Sequence, residues 1–182
     1  MGVIEALPID RVLAIVKAAA ERGKLSHRLP AQPLRRRIRT HVGCSMKPIP
    51  NGAQGRYVHR VESAHLANRF KDSILPPVFS TPYLILIMEN AALNAIKKYL
   101  ETGESAVGTH VDVRHLVATP VGREVIGHAE VTGTDGRKIF FRVWATDGKE
   151  EIGAGTHERT VVNISRFVAR MTEKYGQNSD ED

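Results

Sequence analysis

Val78-Phe-Ser-Thr-Pro-Tyr-Leu-Ile-Leu-Ile-Met-Glu89 decides how this chain is read. It puts a hydroxyl, a proline and an apolar helix at one point, with a carboxylate inside the helix pattern. Thr81 suits the cap of that helix, and Pro82 fits its first helical position, where a missing N–H costs nothing. Apolar or small residues then recur at Leu84, Ile87, Met88, Ala91, Ala92, Ala95, Ile96 and Tyr99, the three-and-four spacing of a packed helix over 82–100. Glu89 falls among them, where a charge is costly to bury unless it is paired or hydrogen-bonded.

Working outward, the chain changes period on both sides of this helix. Arg56–Ala64 alternates weakly, as a strand does, and a loop with Pro76-Pro77 leads into the helix. After the break at Glu101-Thr-Gly103, Val107–Ala118 alternates, placing Val111, Val113, His115 and Val117 on one face. Strands follow at Glu124–Thr132, Lys138–Thr146 and Glu150–Asn163, joined by the hairpin signals Asp135-Gly136 and Asp147-Gly148. One helix, apolar around much of its circumference and set beside a meander, predicts an α+β fold with a sheet wrapped around that helix.

The remaining sequence divides around this body. Residues 1–50 form a basic leader, with an amphipathic helix expected over 8–22 and a Pro/Arg-rich linker containing Arg35-Arg-Arg-Ile-Arg39. The body is expected over 51–170, and a polar, acidic tail over 171–182. The net charge of +6 comes from the leader, which holds 10 Lys and Arg against 3 Asp and Glu. The body is close to neutral, so the charge says little about its ligand, and nucleic acid is not expected as a partner. The single cysteine, Cys44, excludes an internal disulfide. No apolar run reaches the roughly 18 residues of a membrane span. No secretory signal is legible, and a cytoplasmic location is the expectation.

Three side chains point to chemistry. A carboxylate at Glu89, an imidazole at His115 and a hydroxyl at Thr81 beside a helix N-terminus suit acyl transfer or hydrolysis. They offer a base or nucleophile, a proton carrier and a place for a developing oxyanion. Gly108 precedes the strand that carries His115 and allows close approach of a ligand or backbone. Taken singly, each has a plainer explanation: Thr81 as a cap, His115 as a satisfied core histidine, Glu89 as the partner of a buried arginine. Other motifs fail. Gly133-Thr-Asp-Gly136 is a turn without a following helix, and no Gly-x-Ser-x-Gly elbow surrounds Ser80 or Ser105. His110 and His115 lie on opposite strand faces, and His157-Glu-Arg159 lies in a strand, so no metal site is expected.

The set Val78–Glu89, Gly103-Glu-Ser-Ala-Val-Gly-Thr109, Val113-Arg-His115, Ala118-Thr-Pro-Val-Gly122 and Asp147-Gly-Lys-Glu-Glu-Ile-Gly-Ala-Gly-Thr-His-Glu-Arg159 resembles the hotdog-fold thioesterases, and among them the fluoroacetyl-CoA thioesterase-like family. The resemblance implies a hotdog fold and a homodimer whose sheets join edge to edge. It also implies a hydrolase that splits a small acyl-CoA into free acid and CoA. The family's Thr, Glu and His fall on Thr81, Glu89 and His115. Substrate contacts fall on Gly108, Arg159, Leu75, Val78 and Phe79. No cofactor is implied, because coenzyme A is part of the substrate. Leu75 stands where the fluoroacetate-specialised member has an aromatic lid residue, so the resemblance implies a small acyl-CoA without naming its acyl group. Residues 1–45 have no counterpart in the family.

Two rivals share parts of this pattern. A hotdog enoyl-CoA hydratase carries an Asp and a His about five residues apart at the entry to the central helix, and this chain has no His there. A non-enzymatic acyl-CoA sensor would join the same body to a DNA-binding module, which needs two packed helices where the leader offers one.

Overall fold

The computed structural model describes residues 46–176. The helix expected over 8–22 and the Arg-rich linker lie outside the described residues. Five strands form one antiparallel sheet: β1 (Gln54–Arg60), β2 (Glu104–His115), β3 (Glu124–Asp135), β4 (Lys138–Thr146) and β5 (Glu151–Asn163). Their order across the sheet is β1-β3-β4-β5-β2. Three helices accompany them: a short α1 (Ala67–Phe70), the central α2 (Thr81–Ile96) and α3 (Ile164–Tyr175). Among the described residues no helix is long and apolar enough to cross a membrane.

Chain order explains the placement of α2. It follows β1 at one edge of the sheet and precedes β2 at the other, so it must cross one face. The residues it buries there are Leu84, Ile87, Met88, Ala91, Ala92, Ala95 and Ile96. The sheet answers with every second residue, including Val125, Ala129 and Val131 from β3 and Ile139, Phe141, Val143 and Ala145 from β4. Each large side chain buried this way contributes about 1.5–3 kcal/mol. Contact is closest at two glycines. A Cβ on Gly127 would lie 2.6 Å from the Ile87 carbonyl oxygen, and one on Gly55 would collide with the backbone at Ala91 and Ala95. Backbone meets backbone at these points, which no other residue type permits.

The hairpins form where the sequence signals them, with Gly136 and Gly148 at φ 56° and 86°. The Asp147 carboxylate accepts from the Lys149 and Glu150 N–H groups at 3.0 and 3.2 Å and closes the second loop.

Several boundaries differ from expectation. Strand β1 ends at Arg60 rather than Ala64, because Ser63–His65 turns as a short 3-10 helix. The N-cap of α2 is Ser80, not Thr81: Ser80 has extended dihedrals, and its carbonyl accepts from Leu84 N–H. Helix α3 was not anticipated and continues to Tyr175, past the start of the expected tail. Its apolar residues Ile164, Phe167, Met171 and Tyr175 remain exposed. Ile49, placed in the leader by the sequence reading, belongs to the buried core.

Candidate active site

Strand β2 leaves the C-terminal end of the central helix and runs back alongside it. Its far end therefore returns to the helix N-terminus, while its middle passes the helix centre. Thr81 and His115 meet at the first of these points, with Thr81 Oγ1 3.0 Å from His115 Nδ1. Because Ser80 occupies the cap, the Thr81 hydroxyl is directed to the imidazole and makes no capping bond. Burial holds the His115 imidazole below its ordinary value, opposed by the Val117 carbonyl, so the ring is neutral at pH 7.

Glu89 belongs to the second point. It lines an open groove of about 360 Å³ with Leu86, Asn90, Leu93, Ala106, Val107, Gly108 and Arg159. Its side chain is 39% exposed, so the carboxylate stands on the groove wall rather than within the core, as the apolar helix pattern had suggested. Arg159 Nη1 lies 4.0 Å from Glu89 Oε1 and donates to the Glu89 carbonyl oxygen at 3.4 Å. The Arg159 Nη2 donates to the Ala106 carbonyl. The guanidinium is thus fixed largely by backbone oxygens, and its contact with the carboxylate is long.

Gly108 is required by this geometry. A Cβ there would lie 2.5 Å from Glu89 Oε1 and 3.2 Å from His157 Cε1. The three remaining residues of the sequence reading sit apart from the groove. Leu75 and Val78 are half-buried in the segment leading to α2. Phe79 is 1% exposed and packs in the core, its ring centroid 6.2 Å from that of His59 and 6.4 Å from that of Tyr83. It offers a ligand no free surface.

One residue at the site escaped the sequence reading. His157 is buried beside Glu89, with Nε2 3.7 Å from Glu89 Oε1. His157 and Arg159 alternate with outward residues along β5, so a period-two reading of that strand places both on its inner face. The sequence reading considered His157 only as a zinc ligand.

The chain thus presents two half-sites, an imidazole–hydroxyl pair and a carboxylate flanked by an arginine. Glu89 follows Thr81 by eight residues on one helix, so their backbones are separated by about 12 Å along its axis. A hydroxyl–imidazole pair and a carboxylate, set along one helix against an antiparallel sheet, offer the groups that acyl transfer or hydrolysis needs.

Comparison with known proteins narrows this class. The family described as fluoroacetyl-CoA-specific thioesterase matches residues 61–165, more than half of the chain, and the chain belongs to that family. A fluoroacetyl-CoA thioesterase from Streptantibioticus cattleyicolor is 43% identical over 99 residues, covering 54% of this chain and 71% of the relative. The structure of the fluoroacetyl-CoA thioesterase FlK superposes with a TM-score of 0.66 at 34% identity, over 70% of this chain and 98% of that one. A hot-dog-like protein from Thermanaerovibrio acidaminovorans shares the fold alone, with a TM-score of 0.64 at 22% identity over 71% and 96% of the two chains.

Proposed function

We propose that this chain hydrolyses a small acyl-CoA at a site completed by two copies of itself. The Thr81–His115 pair would come from one copy and Glu89 from the other. The observation that carries this reading is the distribution of the groups within one chain: Thr81 and His115 are in contact, whereas Glu89 is two helical turns away. Strand β2 lies at the sheet edge, and its segment from Gly108 to Asp112 is exposed. An unpaired edge of this kind is a template for another strand. Antiparallel pairing of two β2 strands would bring the end of one, with His115, toward the middle of the other.

In this site the Glu89 carboxylate either attacks the thioester carbonyl carbon or takes a proton from a water that does so. A C–O bond forms and, from the tetrahedral species, the C–S bond breaks. The oxyanion develops beside the Thr81 hydroxyl and the N-terminus of α2. In the water route, the proton taken up by Glu89 passes by way of neutral His115 to the departing CoA thiolate. In the direct route the thiolate leaves as the anion, and the water that later opens the anhydride supplies the proton. A mixed anhydride, where Glu89 has attacked, is then opened by water. The products are the free acid and CoA.

The test is free-thiol release from a panel of acyl-CoAs, from acetyl and fluoroacetyl to medium chains, on wild type and Glu89→Gln. The variant is expected to lose on the order of 10²–10⁴ in turnover, the contribution of a positioned acid–base group. Near-wild-type turnover in Glu89→Gln would remove the mechanism.

A further inference from the structure

His157 has no part in the mechanism above, yet it is among the most completely buried side chains of the protein, at 2% exposure. Its surroundings fix it on every side. Phe141 stacks on the ring with centroids 5.9 Å apart. Gly108 approaches the Cε1 edge so closely that a methyl group there would stand 3.2 Å away. His157 Nδ1 lies 2.7 Å from the His110 carbonyl oxygen. A carbonyl only accepts, so Nδ1 carries the ring's proton and donates. In the neutral ring this leaves a lone pair on Nε2, which lies 3.3 Å from Arg159 Nη1 and 3.7 Å from Glu89 Oε1. Between a cation and an anion, a lone pair accepts from the cation.

We propose that His157 is the positioning residue of the carboxylate half-site, its Nε2 lone pair holding the Arg159 guanidinium where it steers Glu89 without forming a close ion pair. The inference rests on the reading of Glu89 as the reacting carboxylate. Two effects follow from the geometry. Arg159 Nη1 has two hydrogens, and its two hydrogen-bond partners are the His157 lone pair at 3.3 Å and the Glu89 carbonyl at 3.4 Å, which leaves Glu89 Oε1 at 4.0 Å without a close hydrogen bond from it. A carboxylate locked in a two-pronged pair with arginine would be a poorer nucleophile and base. The uncharged ring also avoids setting a second cation against Glu89. Burial and the Arg159 charge both hold the imidazole below its ordinary value, against the opposing pull of the His110 carbonyl and of Glu89.

The charged and titratable groups facing the ring are Glu89 from α2, Arg159 from β5 and His110 from β2. Substitution can separate the two ring nitrogens. His157→Asn keeps an N–H near the position of Nδ1 and loses the acceptor at Nε2. His157→Gln keeps an oxygen acceptor near Nε2, and His157→Leu keeps only the bulk.

The experiment measures kcat and KM for one acyl-CoA on wild type, these three variants and Glu89→Gln, with thermal unfolding to establish that each is folded. His157→Asn and His157→Leu are expected to lower kcat by on the order of 10–10², the cost of a displaced reacting group, with KM within about twofold. His157→Gln is expected to remain within about threefold of wild type in kcat. Wild-type kcat in folded His157→Asn overturns the proposal, as does a folded His157→Gln no better than Asn. In both cases an inactive Glu89→Gln leaves the hydrolase mechanism standing. An active Glu89→Gln defeats that mechanism and this proposal together.

Discussion

Thr81 Oγ1 and His115 Nδ1 lie 3.0 Å apart although 34 residues separate them in the chain. The contact exists because β2 returns along the helix it has just left and because Ser80, not Thr81, caps that helix. Thr81→Ser retains the hydroxyl and is expected to keep kcat within about threefold of wild type. Thr81→Ala removes it and is expected to lower kcat by on the order of 10–10², with little change in melting temperature, since no cap is lost. Steady-state thiol release on the two variants checks this. Equal rates for Ser and Ala would mean that the hydroxyl has no part in the reaction.

Mixing two impaired variants tests whether the site is shared between copies. In a heterodimer of Thr81→Ala and Glu89→Gln chains, one site carries both substitutions and the other carries neither. Statistical exchange makes half the dimers heterodimers, so activity should recover to roughly a quarter of wild type. Co-expression with two affinity tags allows the heterodimer to be isolated and assayed. If each site drew all its groups from one chain, the mixture would show no more than the average of the two variants' own activities.

Gly108→Ala places a methyl 2.5 Å from Glu89 Oε1. The carboxylate is the flexible end of a partly exposed side chain, so the fold should survive while the carboxylate is displaced. A misplacement of about 1 Å in a reacting group can cost roughly 10²-fold. The expected result is a loss of that order in kcat with a melting temperature close to wild type. A large fall in melting temperature with kcat retained would contradict it.

Acid should weaken the fold through its histidines. Burial is the largest cause holding the His59, His115, His128 and His157 imidazoles below the ordinary 6.5. Below that value the unfolded chain takes up protons that the folded chain refuses, so stability falls as pH drops from 6.5 toward the folded-state values. Above 6.5 both states are neutral at these positions and they contribute no slope. Urea midpoints measured between pH 8 and 5.5 should therefore decline below about 6.5. A flat midpoint over that range would show that these groups titrate alike in both states. If His115 relays the proton in its neutral form, the acid limb of kcat should also lie below 6.5.

Much of this architecture was legible because its signals are local. Strand β4 has the limits that the sequence predicts, Lys138–Thr146, since turns with glycine bound it on both sides. The pattern of α2 gave its buried face residue by residue. The limits of β1 were less accessible, because Val61 N–H bonds the Arg123 carbonyl, a partner more than 60 residues away, outside the ladder. Helix α3 carries apolar residues at 164, 167, 171 and 175, a helical spacing, but buries none of them. Its period was available in the sequence, and no core position drew attention to it.

The site shows the same division. Thr81, Glu89 and His115 could be singled out by residue type and by their places on a helix and a strand. That Thr81 meets His115, while Glu89 faces Gly108 and Arg159, depends on how β2 lies against α2 and β5. The place of His157 depends on the register in which it pairs with Val111. Such pairings are set by the whole sheet and leave no trace in the local pattern.

The seat of the central helix on Gly55 and Gly127 gives that helix an unusual kind of anchorage. Spacing fixed main chain to main chain does not pass through rotamers, so repacking the larger side chains around it should leave the carboxylate where it is. Ile87 or Met88 can be trimmed at a cost in stability alone, whereas one methyl at Gly55 or Gly127 would tilt the rod and carry Glu89 with it. Two of the places where chemistry is vulnerable to mutation then lie on the floor beneath the helix, where no reacting group stands.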